Sequence, residues 1–141
     1  MNRNLFNNDY NFGIESEKEL LSKLQSQFDS NLKLSSSNYS LFDFESNSTY
    51  VELKTRRCTK GYYRSTIVGM NKINRAIDLK NLNIDTKIYF VFKFMDYICY
   101  WKFDEEEMMK LKQSKITRND RNKVEQGLYL EIPINLLIDF K

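Results

Sequence analysis

Asp43, Glu52 and Lys54 stand close together in the run Ser40-Leu41-Phe42-Asp43-Phe44-Glu45-Ser46-Asn47-Ser48-Thr49-Tyr50-Val51-Glu52-Leu53-Lys54. Neighbouring carboxylates can hold a hard divalent cation through oxygen, and a lysine beside them can orient or deprotonate a water molecule. The run reads as two short strands of alternating apolar residues joined by a polar turn. Strand residues two apart share a face, so Glu52 and Lys54 project together, with the Leu53 carbonyl between them. A two-residue turn at Ser46-Asn47 pairs Glu45 with Ser48 and Asp43 with Tyr50, which sets Asp43 diagonally beside Glu52. A turn one residue longer sends Asp43 to the opposite face.

Composition narrows the chemistry further. The 141 residues contain no histidine, which removes imidazole as base, nucleophile or ligand and disfavours zinc hydrolases, serine or cysteine triads and histidine-metal nucleases. Cys58 and Cys99 have no metal-ligand spacing and are expected to be unpaired thiols. Length and an apolar content of 41% suit one domain with a real core, spanning 13–141 after a loosely ordered, asparagine-rich start at 1–12. No stretch is apolar enough to span a bilayer and the start is too polar for a signal peptide, so a soluble, intracellular protein without a membrane partner is expected.

The net charge of +3 is unevenly spread. Residues 1–50 carry 4 basic and 7 acidic groups, residues 51–80 carry 8 and 2, and residues 81–141 carry 10 and 10. The excess therefore lies in the segment that begins with Glu52 and Lys54. A basic patch beside acids suits a metal-dependent enzyme acting on a polyanion, although a solvated basic helix face would give the same count. Arg56, Arg57, Lys60 and Arg64 could grip phosphates, and Tyr62 and Tyr63 could stack on unpaired bases or simply pack. Lys72 and Arg75 could extend the phosphate track along a following helix.

The elements that must position these groups follow from periodicity. Residues 13–28 show helical spacing, with Ile14, Leu21, Leu24 and Phe28 in one stripe. Glu17 falls into that stripe, where it either sees solvent at a frayed start or reaches a cation in a cleft. Strands are expected at 31–34, 39–45 and 49–55, a loop at 55–63, and a helix over 64–79 with Ile67, Met70, Ile73 and Ile77 inward. Residues 87–94 and 97–103 read as a β-hairpin around Met95-Asp96. Asp104 caps a short helix at 105–112, residues 113–126 read as an exposed loop, 128–132 as a strand, and Pro133 opens a terminal helical turn.

Helix, three strands, helix, strand, with an acid before a turn and Glu-x-Lys after it, resembles the core of the PD-(D/E)XK nuclease superfamily over residues 13–94. Among ten glutamates only Glu52 is followed two positions later by lysine. Asp78-Leu79-Lys80 and Asp85-Thr86-Lys87 fit a looser form of the motif, but neither follows a strand carrying another acid. The resemblance implies an α/β, restriction-endonuclease-like αβββαβ core with a central mixed sheet flanked by helices. It matches Asp43 to the family's first acid, Glu52 to the second, Lys54 to the lysine and Glu17 to the glutamate of the first helix; the family's proline is replaced by Phe42.

The resemblance further implies a metal-dependent endonuclease cleaving DNA, resolvase-like or otherwise structure-directed. Mg2+ would be held by Asp43, Glu52, Leu53 and Glu17, with Mn2+ able to substitute. With little chain left for a sequence-reading domain, a targeting partner or a homodimer with paired sites is expected. Two alternatives stay open: an RNA endonuclease on the same fold, and a catalytically inactive nucleic-acid-binding module. Richness in Asn, Lys, Ile and Tyr suggests an AT-rich, viral or phage genome.

Overall fold

The computed structural model describes residues 18–36, 42–120 and 123–141, with the backbone alone for 116–120 and 123–126. The first helix, α1, covers 18–27 within the described residues. It is followed by β1 (Lys33–Leu34), β2 (Phe44–Glu45), β3 (Thr49–Thr55), β4 (Ser65–Gly69), α2 (Met70–Leu82), β5 (Lys87–Lys93) and β6 (Ile98–Lys102). Helix α3 (Glu105–Met109), β7 (Gln113–Asp120), β8 (Lys123–Pro133), a 3-10 turn (Ile134–Leu136) and β9 (Ile138–Asp139) complete the chain. Among the described residues six strands form the main sheet in the order β1-β2-β3-β5-β6-β9, and β4-β8-β7 form a second sheet. All neighbours in the main sheet are antiparallel except β3 and β5, so the sheet is mixed, and β4 with α2 makes the crossover between its two parallel strands.

The alternation of the strands divides the core in two. One face of β5 and β6 presents Ile88, Phe90, Phe92, Cys99 and Trp101 to α2, β4 and β8 through Ile73, Ala76, Val68, Leu130 and Ile132. The other face of the sheet presents Val51 of β3 and Tyr89 and Val91 of β5 to Leu20 and Leu24 of α1. β5 is buried on both faces, which is why it reads as the near-continuous apolar run Ile-Tyr-Phe-Val-Phe. On β3 the even positions face the α2 side and the odd positions the α1 side, so Glu52 and Lys54 belong to the α2 side.

Several expectations are met as read. β3, β5 and β6 lie within a residue of their expected bounds, Asp104 Oδ1 accepts from the Glu107 N–H at 2.9 Å as the cap of α3, and both cysteines are free thiols. Helix α3 is shorter than expected, ending at Met109. The expected strand at 39–45 is paired only at Phe44–Glu45, and residues 37–41 lie outside the described residues.

Three differences matter more. The turn of the hairpin is Asn47-Ser48, not Ser46-Asn47, and Glu45 pairs with Tyr50. Asp29 is the reason: its Oδ2 accepts from the Ser46 hydroxyl at 2.6 Å and the Thr49 hydroxyl at 2.9 Å, so these two residues close the ladder and cannot be turn residues. Because the loop keeps two residues and moves by one position, the faces of the hairpin are unchanged. Residues 64–69 are not helical. Ser65–Gly69 alternates in burial and pairs with β8, a partner sixty or more positions away, so Ile67 leaves the expected helical stripe. Residues 113–126 are not a loop within the described part either: Gln113–Asp120 pairs with β8 along its whole length.

Candidate active site

The chain leaves regular strand geometry at Asp43. Phe42 and Phe44 are two apart yet fall in different core clusters, Phe42 on the α2 side and Phe44 on the α1 side. The Asp43 N–H donates to Val51 O at 3.0 Å, and its carboxylate turns back to accept from the Leu53 N–H, Oδ2 at 2.8 Å. That bend brings the acid against Glu52. In the parallel ladder, Lys87 N–H donates to Ser48 O and Arg56 N–H donates to Lys93 O, so even residues of β3 bond to β5. The N–H and C=O of Leu53 are thereby directed to the β2 side, where β2 has ended and Asp43 stands.

Glu52 is 4% exposed, an unusual place for a carboxylate. It pairs in register with Phe90, and Phe42 packs against Phe90 and Tyr50 on the same side of the sheet. Lys72 of α2 reaches it from above, Nζ to Oε2 at 2.9 Å. At that separation the two side chains form an ion pair, and Lys72 is 19% exposed beside a carboxylate that is almost wholly buried. Burial is the largest influence on the Glu52 carboxyl and pushes it up to about 7 from 4.5; the hydrogen bond and the charge of Asp43 push the same way, and Lys72 opposes them.

The structure therefore brings together Asp43, Glu52, Leu53 and Lys54 as the sequence suggested, with Lys54 half-buried on the same face as Glu52. Glu17 lies outside the described residues. The described part of α1 packs on the opposite face of the sheet from Glu52. No group of three or more acidic, cysteine or histidine side chains that could hold a metal occurs among the described residues. The available donor set is two carboxylates and a main-chain carbonyl. It fits Mg2+, which binds through one or two carboxylates and keeps several waters.

The basic residues separate into distinct groups. Lys72, expected along an outward phosphate track, is instead turned into the site as the counter-ion of Glu52. Lys60 is committed to Asp139 at 2.6 Å. The Arg56 guanidinium donates to Ile67 O at 2.7 Å, tying the end of β3 to β4. Arg57, Arg64 and Arg75 are exposed, as are Tyr62 (71%) and Tyr63 (63%), whose rings meet edge to face at 4.8 Å. Arg56, Arg57, Arg64 and Tyr63 border a groove of about 630 Å³. A larger cavity, about 1170 Å³, lies between α1 and β9 and includes none of Asp43, Glu52 or Lys54.

A family model described as "Phage putative PDDEXK endonuclease" matches residues 8–139. No curated protein and no solved structure matches the chain. Among the described residues no helix is long and apolar enough to cross a membrane.

Proposed function

Since the chain belongs to this family of phage PD-(D/E)XK endonucleases, we propose that it hydrolyses phosphodiester bonds in DNA with Mg2+ held by Asp43, Glu52 and the Leu53 carbonyl, Mn2+ being able to replace it. The observation that carries the reading is the convergence of two carboxylates, Asp43 held by the Leu53 N–H and, against it, the buried Glu52 whose carboxyl feels the Asp43 charge. The bound ion supplies positive charge to the phosphate under attack and to the leaving oxygen. Lys54 orients the attacking water and stabilises the charge developing on phosphorus. Lys72 favours the ionised form of Glu52, the form that can bind a cation. Arg57, Arg64 and Arg75 hold phosphates on either side.

The deciding comparison is Lys54→Ala against wild type in metal-dependent cleavage of plasmid DNA. The variant should lose cleavage by two to four orders of magnitude, about the scale of positioned acid–base catalysis, while keeping metal binding. Undiminished cleavage would sink the mechanism. A parallel incubation with RNA is expected to leave it intact.

The Lys72–Glu52 ion pair favours one second reading, a binding module in which the lysine permanently supplies the charge that a metal would bring. That module would bind DNA with a steep salt dependence, take up no Mn2+ and cut nothing.

A further inference from the structure

The groove at the end of β3 has walls of two kinds. Cys58, Ile67, Phe94 and Ile134 give it an apolar interior, while Arg56, Arg57 and Arg64 stand around it. Tyr63, mostly exposed, borders the same space. An apolar slot ringed by guanidinium groups is complementary to a flat aromatic group attached to an anionic chain. The groove also shares a face with the site, because Glu52, Lys54 and Arg56 are successive even residues and the Arg56 N–H continues the β3–β5 ladder. Glu52 and Arg56 are four residue steps apart along extended chain, roughly 13 Å, the span of a few nucleotides.

We infer that this groove receives an unstacked nucleobase, so that the preferred substrate is DNA carrying an unpaired nucleotide close to the cleaved phosphate. The inference rests on the nuclease reading and specifies its substrate. In a paired duplex the base edges are in the grooves and the faces are stacked, so only an extruded or single-stranded base can enter a walled slot. Stacking on Tyr63 holds the base, and the exposed Arg57 and Arg64 hold the phosphates that flank it. The Arg56 guanidinium is fixed by Ile67 O, so that side of the slot is formed before the substrate arrives.

The test measures binding without metal, using a DNA duplex with one unpaired 2-aminopurine and the same duplex fully paired. The unpaired probe is expected to bind at least about fivefold more tightly, the lower end of base–aromatic stacking, and its fluorescence should change on binding. Tyr63→Ala should remove that preference and Tyr63→Phe should keep it; filling the slot with Ile67→Trp should remove both preference and fluorescence change. Equal affinity for the two duplexes, an unchanged 2-aminopurine signal, or an unaltered preference in Tyr63→Ala would each overturn the inference. Failure of the nuclease reading is seen separately, as no cleavage of either duplex once Mg2+ or Mn2+ is added. Cleavage of both at equal rates removes the inference and leaves the nuclease.

Discussion

Burial and the neighbouring Asp43 carboxyl raise the Glu52 carboxyl to about 7 from 4.5, which couples folding to pH in a defined direction. Below pH 4.5 both folded and unfolded chains hold this proton. Between about 4.5 and 7 the unfolded chain has released it and the folded chain has not, so stability falls as pH rises through that window. The full effect is roughly 3 kcal/mol. Urea unfolding at pH 5 and pH 8 should show wild type losing more stability than Glu52→Gln by most of that amount; parallel losses in the two proteins would refute the coupling. Lys72→Met removes the charge that opposes the shift and should move the Glu52 titration to higher pH, as read by carboxyl NMR. Asp43→Asn and Glu52→Gln should each abolish calorimetric Mn2+ binding together with cleavage. The carboxylates and Lys54 were legible because strand alternation alone puts Glu52 and Lys54 on one side. The part played by Lys72 was not: helical phasing assigns a lysine outward, and the attraction that draws it in comes from a buried acid twenty positions earlier on another element.

At the scale of elements, the hairpin is held from outside by Asp29. Its carboxylate accepts from Ser46, Thr49 and the Asn31 N–H, and the Ser46 hydrogen bond is the foremost of the causes that lower the Asp29 carboxyl below its ordinary value. Asp29→Ala should destabilise the protein by about 2 kcal/mol, measured by urea unfolding at neutral pH. The difference from wild type should shrink as pH falls through the range where Asp29 takes up its proton. Cleavage should fall as well, since the hairpin register sets where Asp43 bends. An unchanged unfolding midpoint would count against the clamp. Sequence alone placed β3, β5 and β6 well because each shows its own periodicity. It missed β4 because Ser-Thr-Ile-Val-Gly leads directly into α2, so the spacing of Ile67 fits a helical stripe as well as a strand, and only pairing with distant β8, which turns Thr66 and Val68 inward, decides between them. It missed β7 and the first half of β8 for a similar reason: their residues are mostly polar, and the hairpin is specified by long mutual pairing.

For the molecule as a whole, the basic segment 51–80 forms β3, the groove loop, β4 and α2, so the chain's positive excess is gathered around the site. Arg57→Ala and Arg64→Ala should each weaken DNA binding whatever the sequence, and should lower the slope of log K against log salt by about 1. Titrations across a range of salt concentrations check this; a slope equal to wild type means the residue meets no phosphate. The same gathering explains why a modest net charge concealed a strong local one.

The outermost strands carry a different consequence, for self-association. The main sheet ends in β1 and β9, each two residues long, so little unpaired backbone is offered at either side for another chain to extend. In the second sheet, β7 is eight residues long and is bonded on one side only. Among the described residues it is the longest free strand template. Backbone pairing with a second copy, in an ordered dimer or in aggregation at high concentration, would therefore be directed to β7, on the sheet that does not carry the two carboxylates.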